Sequence, residues 1–189
     1  MVGNKQFSVK NIVLVSPSDL LKEREMCKKS IENVNFILDT TGKNYRVQLK
    51  GWEDVPPGVG RANEYIGKYL NMDHCDILIG MFWYKFGSPP GANRPDDGTP
   101  YKSGTEEELD NAFRFRQSSG KPEIMIYWKR DELPKFNFDE DYVQYGRLVE
   151  FMRDCRPAGR HPAYYVEFFS DGFEQRLSQD LLKVLNTSS

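Results

Sequence analysis

Short apolar runs alternate along the chain with longer stretches in which apolar residues recur every three or four positions. Residues 12–15 (IVLV) are β-branched or aliphatic and are bounded by Ser16, Pro17, Ser18 and Asp19, so they predict a buried strand ending in a turn. Leu20, Cys27, Ile31, Val34 and Leu38 then recur at helical spacing, with Ser18 or Asp19 as the expected cap and residues 40–42 as the stop. Residues 45–49 predict a second strand, and WEDVPPGVG (52–60) reads as loop because of its prolines and glycines. A helix is expected over 62–72, with Tyr65, Ile66, Tyr69 and Leu70 on one side. Residues 76–83 (DILIGMFW) are apolar almost throughout, as suits a central parallel strand covered on both faces. Residues 84–102 are rich in Gly, Pro, Asp and Asn and predict the longest irregular stretch. Beyond them follow a helix over 105–117, a strand over 123–128, a helix over 139–155, a short strand over 164–168 and a last helix over 172–185. Five strand–helix units imply a parallel sheet with helices on both faces. The expected fold is α/β, a flavodoxin-like three-layer sandwich with strand order 2-1-3-4-5.

Composition narrows the partners. The 189 residues are 39% apolar and 13% aromatic, enough for one domain (1–189) with a substantial core. Lys and Arg number 26 against 28 Asp and Glu, a net charge of -2, so duplex nucleic acid and anionic membranes are not expected partners. No apolar run approaches the roughly 20 residues that span a bilayer, and the first ten residues contain no signal-peptide segment. Cys27, Cys75 and Cys155 are odd in number and widely spaced, which favours a reducing, cytoplasmic setting over a disulfide framework. With only His74 and His161 beside them, a Cys/His zinc site is not expected, and no metal is assigned.

In a sheet of this order, ligands bind beyond the carboxyl ends of strands one and three, where strand order reverses. The loops that meet there are Ser16–Pro17–Ser18–Asp19 after strand one and residues 83–87 after strand three. The WEDVPPGVG loop ends at the same edge. Neither GxGxxG nor GxxxxGK[ST] is present. Cys75 borders a strand and reads as a small buried residue rather than a nucleophile. The run SGTEEEL (103–109) is more informative. Thr105 and Glu108 form a T-x-x-E capping box, and acids suit a first helical turn. Alternatively, one of these carboxylates faces the cleft and stabilises positive charge at a sugar carbon. The Asp139–Glu140–Asp141 cluster reads as acids at a helix start.

Taken together, VLVSPSDLLKERE (13–25), WEDVPPGVG, CDILIGMFWYKFGSP (75–89), SGTEEEL and FEQRLSQDLLKVL resemble the TIR-like (Toll/interleukin-1 receptor-like) domains at the N-terminus of many prokaryotic defence and signalling proteins. The match spans roughly residues 10–185. It implies a TIR-like sandwich forming the N-terminal part of a longer protein. Active TIR domains cleave the nicotinamide N-glycosidic bond of NAD with a glutamate on the helix after the third strand. The related nucleoside 2-deoxyribosyltransferases carry G-T-x-x-E-[apolar]-x-x-A at that place, and residues 104–112 (GTEEELDNA) fit it, which selects Glu108. The S-x-W-C segment usual before the glutamate is absent, Ser103–Gly104–Thr105 standing in its place, and the 84–102 loop is long for such a domain.

The resemblance therefore implies NAD as substrate, no cofactor, and Glu108 as the catalytic residue. Ser16, Pro17, Ser18, Asp19, Trp52, Asp54, Trp83, Tyr84 and Thr105 become candidate substrate-binding residues, with Trp52, Trp83 or Tyr84 stacking on the base. Lys85 or Arg61 would supply counter-charge. It also implies self-association through the 52–60 loop and activation by further domains or a partner protein. Two other readings stay open: a non-catalytic interaction module, and a nucleoside or nucleotide N-glycosidase or deoxyribosyltransferase.

Overall fold

The computed structural model describes residues 8–51, 74–156, 159, 161 and 163–187. The 52–60 loop, with Trp52 and Asp54, lies outside them, as do Arg61 and the helix expected over 62–72. The described elements are β1 (Ser8–Val15), α1 (Leu21–Thr40), β2 (Tyr45–Lys50), β3 (Ile77–Phe82), α2 (Gly104–Ser119), β4 (Glu123–Lys129), α3 (Asp139–Asp154), β5 (Tyr165–Phe168) and α4 (Phe173–Thr187). The five strands form one all-parallel sheet in the order β2-β1-β3-β4-β5. This is the α/β architecture that the alternation of patterns predicts.

Side-chain alternation divides the central strands between two cores. Ile12, Leu14, Ile79, Met81 and Tyr127 point to one face, where α1 contributes Cys27, Ile31, Val34 and Leu38 and α4 contributes Phe173, Leu177, Leu181 and Leu185. Val13, Val15, Leu78, Phe82, Ile126 and Trp128 point to the other, against Leu109, Ala112 and Phe113 of α2 and Leu148, Phe151 and Met152 of α3. β3 is buried along its whole length. At Gly80 a Cβ would lie 3.4 Å from Leu109 Cδ2, so α2 packs close to β3 there.

Strand boundaries follow backbone pairing more than hydropathy. β1 begins at Ser8, four residues before its apolar run, because residues 8–11 pair with Tyr45, Arg46, Val47 and Gln48 of β2. The start of α1 differs from expectation as well. Its N-cap position is Leu20, and no side chain caps it. Asp19 is drawn elsewhere.

β2 is an edge strand, and α1 covers part of that edge with a side chain. Asn35 Nδ2 donates to the Val47 carbonyl and Asn35 Oδ1 accepts from the Val47 N–H, both at 2.9 Å, so one amide satisfies both backbone groups of a residue on the open side. Among the described residues, no helix is long and apolar enough to cross a membrane.

Candidate active site

The carboxyl ends of β1 and β3 flank the point where strand order reverses. Two helices begin near it, α1 from one face of the sheet and α2 from the other. The first turn of α2 decides what the acidic run does. Ser103 is the N-cap, extended in backbone (φ -153°, ψ 159°), and its Oγ accepts from the Glu106 N–H at 3.0 Å. Glu106 reaches back to accept from the Lys102 N–H at 2.7 Å. The capping pair is therefore Ser103 and Glu106, not Thr105 and Glu108. Replacing Ser103 with Ala is expected to cost about 1 kcal/mol, read as a lower midpoint in denaturant unfolding.

Glu106 also pairs with Arg94 from the 84–102 loop, and both side chains are almost fully buried, at 5% and 9% exposure. That loop is an ordered strap. Asn93 and Pro100 bridge, Arg94 N–H donates to Thr99 O, and Tyr101 N–H donates to Ala92 O. Its second bolt is Tyr101, whose hydroxyl donates to Asp110 Oδ2 at 2.5 Å, with Arg114 3.1 Å from the same carboxylate. Glu106, Asp110 and Arg114 form an i, i+4, i+8 stripe. Glu108 lies about 200° around the helix from Glu106, given 100° per residue. The strap thus grips the side of α2 turned away from Glu108.

Glu108 is only half-buried, yet protein crowds its carboxyl. Burial first, then the neighbouring Glu107 charge, raises its pKa from 4.5 to about 7, while Arg24 pulls the other way. A desolvated carboxyl poised near neutrality is suited to exchange protons or to meet a cation.

Arg24 is buried on α1. Its Nε donates to Ser16 Oγ at 2.9 Å, and its terminal nitrogen to the carbonyls of Ser16 (2.6 Å) and Pro17 (3.1 Å). Ser16 and Pro17 are thus held by an arginine on their carbonyl side, and Ser18 stands exposed. Asp19 does not cap α1. Its Oδ2 accepts from the backbone N–H groups of Tyr84 (3.1 Å) and Lys85 (3.0 Å), joining the β1 loop to the β3 loop. Burial raises the Asp19 pKa, partly offset by those two hydrogen bonds.

Trp83 follows β3 directly. It packs on the α1/α4 core, with Lys129 Nζ 4.0 Å from its ring centroid and Tyr84 edge-on at 4.9 Å. Lys129 is also paired, 2.8 Å from Glu23 and 3.4 Å from Asp131, and Ser170 Oγ contacts both carboxylates. Burial pushes Glu23 up, but the hydrogen bonds from Lys129 and Ser170 outweigh it and leave its carboxyl below the ordinary value. Thr105 is buried and is not the N-cap of α2. Its Oγ1 lies 3.7 Å from where a Cβ on Gly87 would stand, beside Ser103 Cβ at 3.5 Å. Gly87 is at φ +98°, a conformation that only glycine takes without strain.

The structure thus gathers Ser16, Pro17, Asp19, Trp83, Tyr84, Thr105 and Glu108 around one edge of the sheet. Reasoning on sequence missed Glu23, Arg24, Arg94, Glu106, Lys129 and Gln144. For Glu23 and Arg24 a signal existed: both fall on the apolar stripe of Leu20, Cys27 and Ile31, where a charge must find a buried partner. Cys75 is buried, its thiol pushed up to about 12 by desolvation, as expected of a structural cysteine.

No protein-family model matches this chain, and no curated protein matches its sequence. Among solved structures, apo translation elongation factor SelB from Methanococcus maripaludis is similar at 14% identity and a TM-score of 0.45. That match covers 96% of this chain and 34% of that one, and a likeness so distant bears on neither fold nor function.

Proposed function

We propose that the chain is a TIR-like domain that cleaves the nicotinamide N-glycosidic bond of NAD, with Glu108 as the catalytic residue. The observation that carries this reading is a carboxyl released from helix capping, on a half-buried residue within reach of the Arg24 charge and raised to about 7. In the reaction the bond between the ribose anomeric carbon and the nicotinamide nitrogen breaks. Its electron pair neutralises the pyridinium, so the leaving group needs no proton. Glu108 as carboxylate stabilises the oxocarbenium-like carbon or bonds to it. Water then adds to that carbon and loses its proton, giving ADP-ribose, nicotinamide and H⁺. In this reading Trp83 or Tyr84 stacks on the base. Self-association through residues 52–60, an activating partner or fused domain, and a cytoplasmic defence or signalling role belong to the same reading.

The test is incubation of concentrated, crowded protein with NAD and chromatographic detection of nicotinamide. Release is the expected result, unchanged by a metal chelator because the leaving group is already cationic. Cleavage of nucleosides but not of NAD would shift the reading to an N-glycosidase or deoxyribosyltransferase. Cleavage of neither under enforced self-association would leave an interaction module.

A further inference from the structure

The loop after β3 turns four successive backbone N–H groups toward two side-chain oxygens. Tyr84 and Lys85 donate to Asp19 Oδ2, at 3.1 and 3.0 Å. Phe86 and Gly87 donate to Gln144 Oε1, both at 2.9 Å. Consecutive amides converging in this way make the kind of cradle that receives anions in other proteins. Here the protein's own oxygens fill it. Asp19 comes from the loop after β1 and Gln144 from α3, so the cradle ties three elements across the reversal point.

The orientation of Gln144 is itself determined. Two amide donors demand an oxygen, and the opposite end of the side chain, Nε2, donates to Glu140 Oε1 at 3.0 Å. Gln144 is buried, and Phe86 beside it is wholly so, packed on Phe82 and Phe151. Gly87 abuts Ser103 and Thr105, which open α2 five and three positions before Glu108. The same four residues therefore set the place of the Trp83 and Tyr84 rings at one end and support the turn carrying Glu108 at the other.

We infer that Asp19 and Gln144 are positioning residues of the crevice, a two-oxygen clamp that holds the loop after β3 in its working shape before any ligand arrives. Its consequence for catalysis rests on the NAD-cleavage reading; the clamp itself does not. Asp19 Oδ1 is buried and has no hydrogen-bond partner among the described residues. An asparagine can therefore keep the accepting oxygen where it is needed, with its nitrogen replacing an atom that has no partner among the described residues. That makes Asp19→Asn the conservative variant and Asp19→Ala the disruptive one.

The experiment is residue-resolved amide hydrogen exchange on the full chain, paired with NAD-cleavage kinetics. Asp19→Ala is expected to speed exchange about fivefold at Tyr84 and Lys85, and Gln144→Ala to do so at Phe86 and Gly87, each hydrogen bond being worth roughly 1 kcal/mol. Both alanine variants raise KM for NAD more than they lower kcat, and Asp19→Asn restores protection and KM together. Should Asp19→Ala fail to fold, Gln144→Ala carries the same test from α3. Unchanged exchange at the paired amides in the alanine variants overturns the clamp. So does an Asp19→Asn protein as impaired as Asp19→Ala while its amides stay protected, since the charge would then be acting on the substrate. A wild-type protein that never cleaves NAD defeats the catalytic reading, and the exchange pattern still decides the clamp.

Discussion

Glu108→Gln is expected to lose nicotinamide release by roughly a thousandfold and at the same time to become more stable above neutral pH. The two effects share one cause. Burial and the adjacent Glu107 charge hold the Glu108 pKa near 7, against 4.5 for an ordinary glutamate. A carboxyl whose folded pKa is raised binds its proton more tightly in the folded state. Its unfavourable contribution is absent below pH 4.5, grows between 4.5 and 7 and is complete above 7. Glutamine keeps the shape and removes the charge. After allowance for the partial exposure of the side chain, the gain above pH 7 is about 2 kcal/mol. It shrinks to nothing at the acid end of the range. Thermal unfolding at pH 8 and pH 4.5 measures it, and equal stabilisation at both would show that the glutamate is not strained. Loss of activity without a pH-dependent rise in stability would point to damage of another kind.

The opposite phenotype is expected of Arg94→Met. Arg94 and Glu106 form a buried ion pair between the strap and the first turn of α2, and Arg94 lies 5.2 Å from the Tyr101 ring centroid. Removing the arginine leaves a carboxylate in a nearly waterless place with, among the described residues, only the Lys102 N–H to satisfy it. The expected cost is about 3–5 kcal/mol, a fall in midpoint of roughly 10 °C for a chain of this size. Arg94→Met with Glu106→Leu should recover most of the loss, because the stranded charge goes too. Since this pair faces away from Glu108, activity per folded molecule should change little in either variant. A single variant as stable as wild type would mean that water reaches the pair. Selective loss of activity would mean that the strap shapes the crevice.

The contrast shows which parts of the molecule its sequence discloses. Topology was legible because the apolar runs at 12–15, 76–83 and 123–128 are too short and too continuous for anything but buried strands, and the stretches between them repeat at helical spacing. The polar start of β1 was not, since Ser8 and Lys10 join the sheet by pairing their backbones with β2. The α2 cap was misassigned to Thr105 and Glu108 for a specific reason. SGTEEE contains two overlapping boxes, Ser103-x-x-Glu106 and Thr105-x-x-Glu108, with equal local merit. Arg94 breaks the tie from twelve residues upstream by drawing Glu106 to itself. Asp19 misled in the same manner: an acid before a helix reads as a cap, but the amides of Tyr84 and Lys85 compete for it, and they belong to another strand. Glu108 was picked out by a motif; its strained carboxyl became visible only with its surroundings.

One amide on α1 has a wider consequence. With Asn35 seated on Val47, a neighbouring molecule cannot lengthen the sheet from its β2 side without first evicting that side chain and forfeiting both of its bonds. Strand stacking on that flank therefore has to compete with the Asn35 amide for the backbone of Val47.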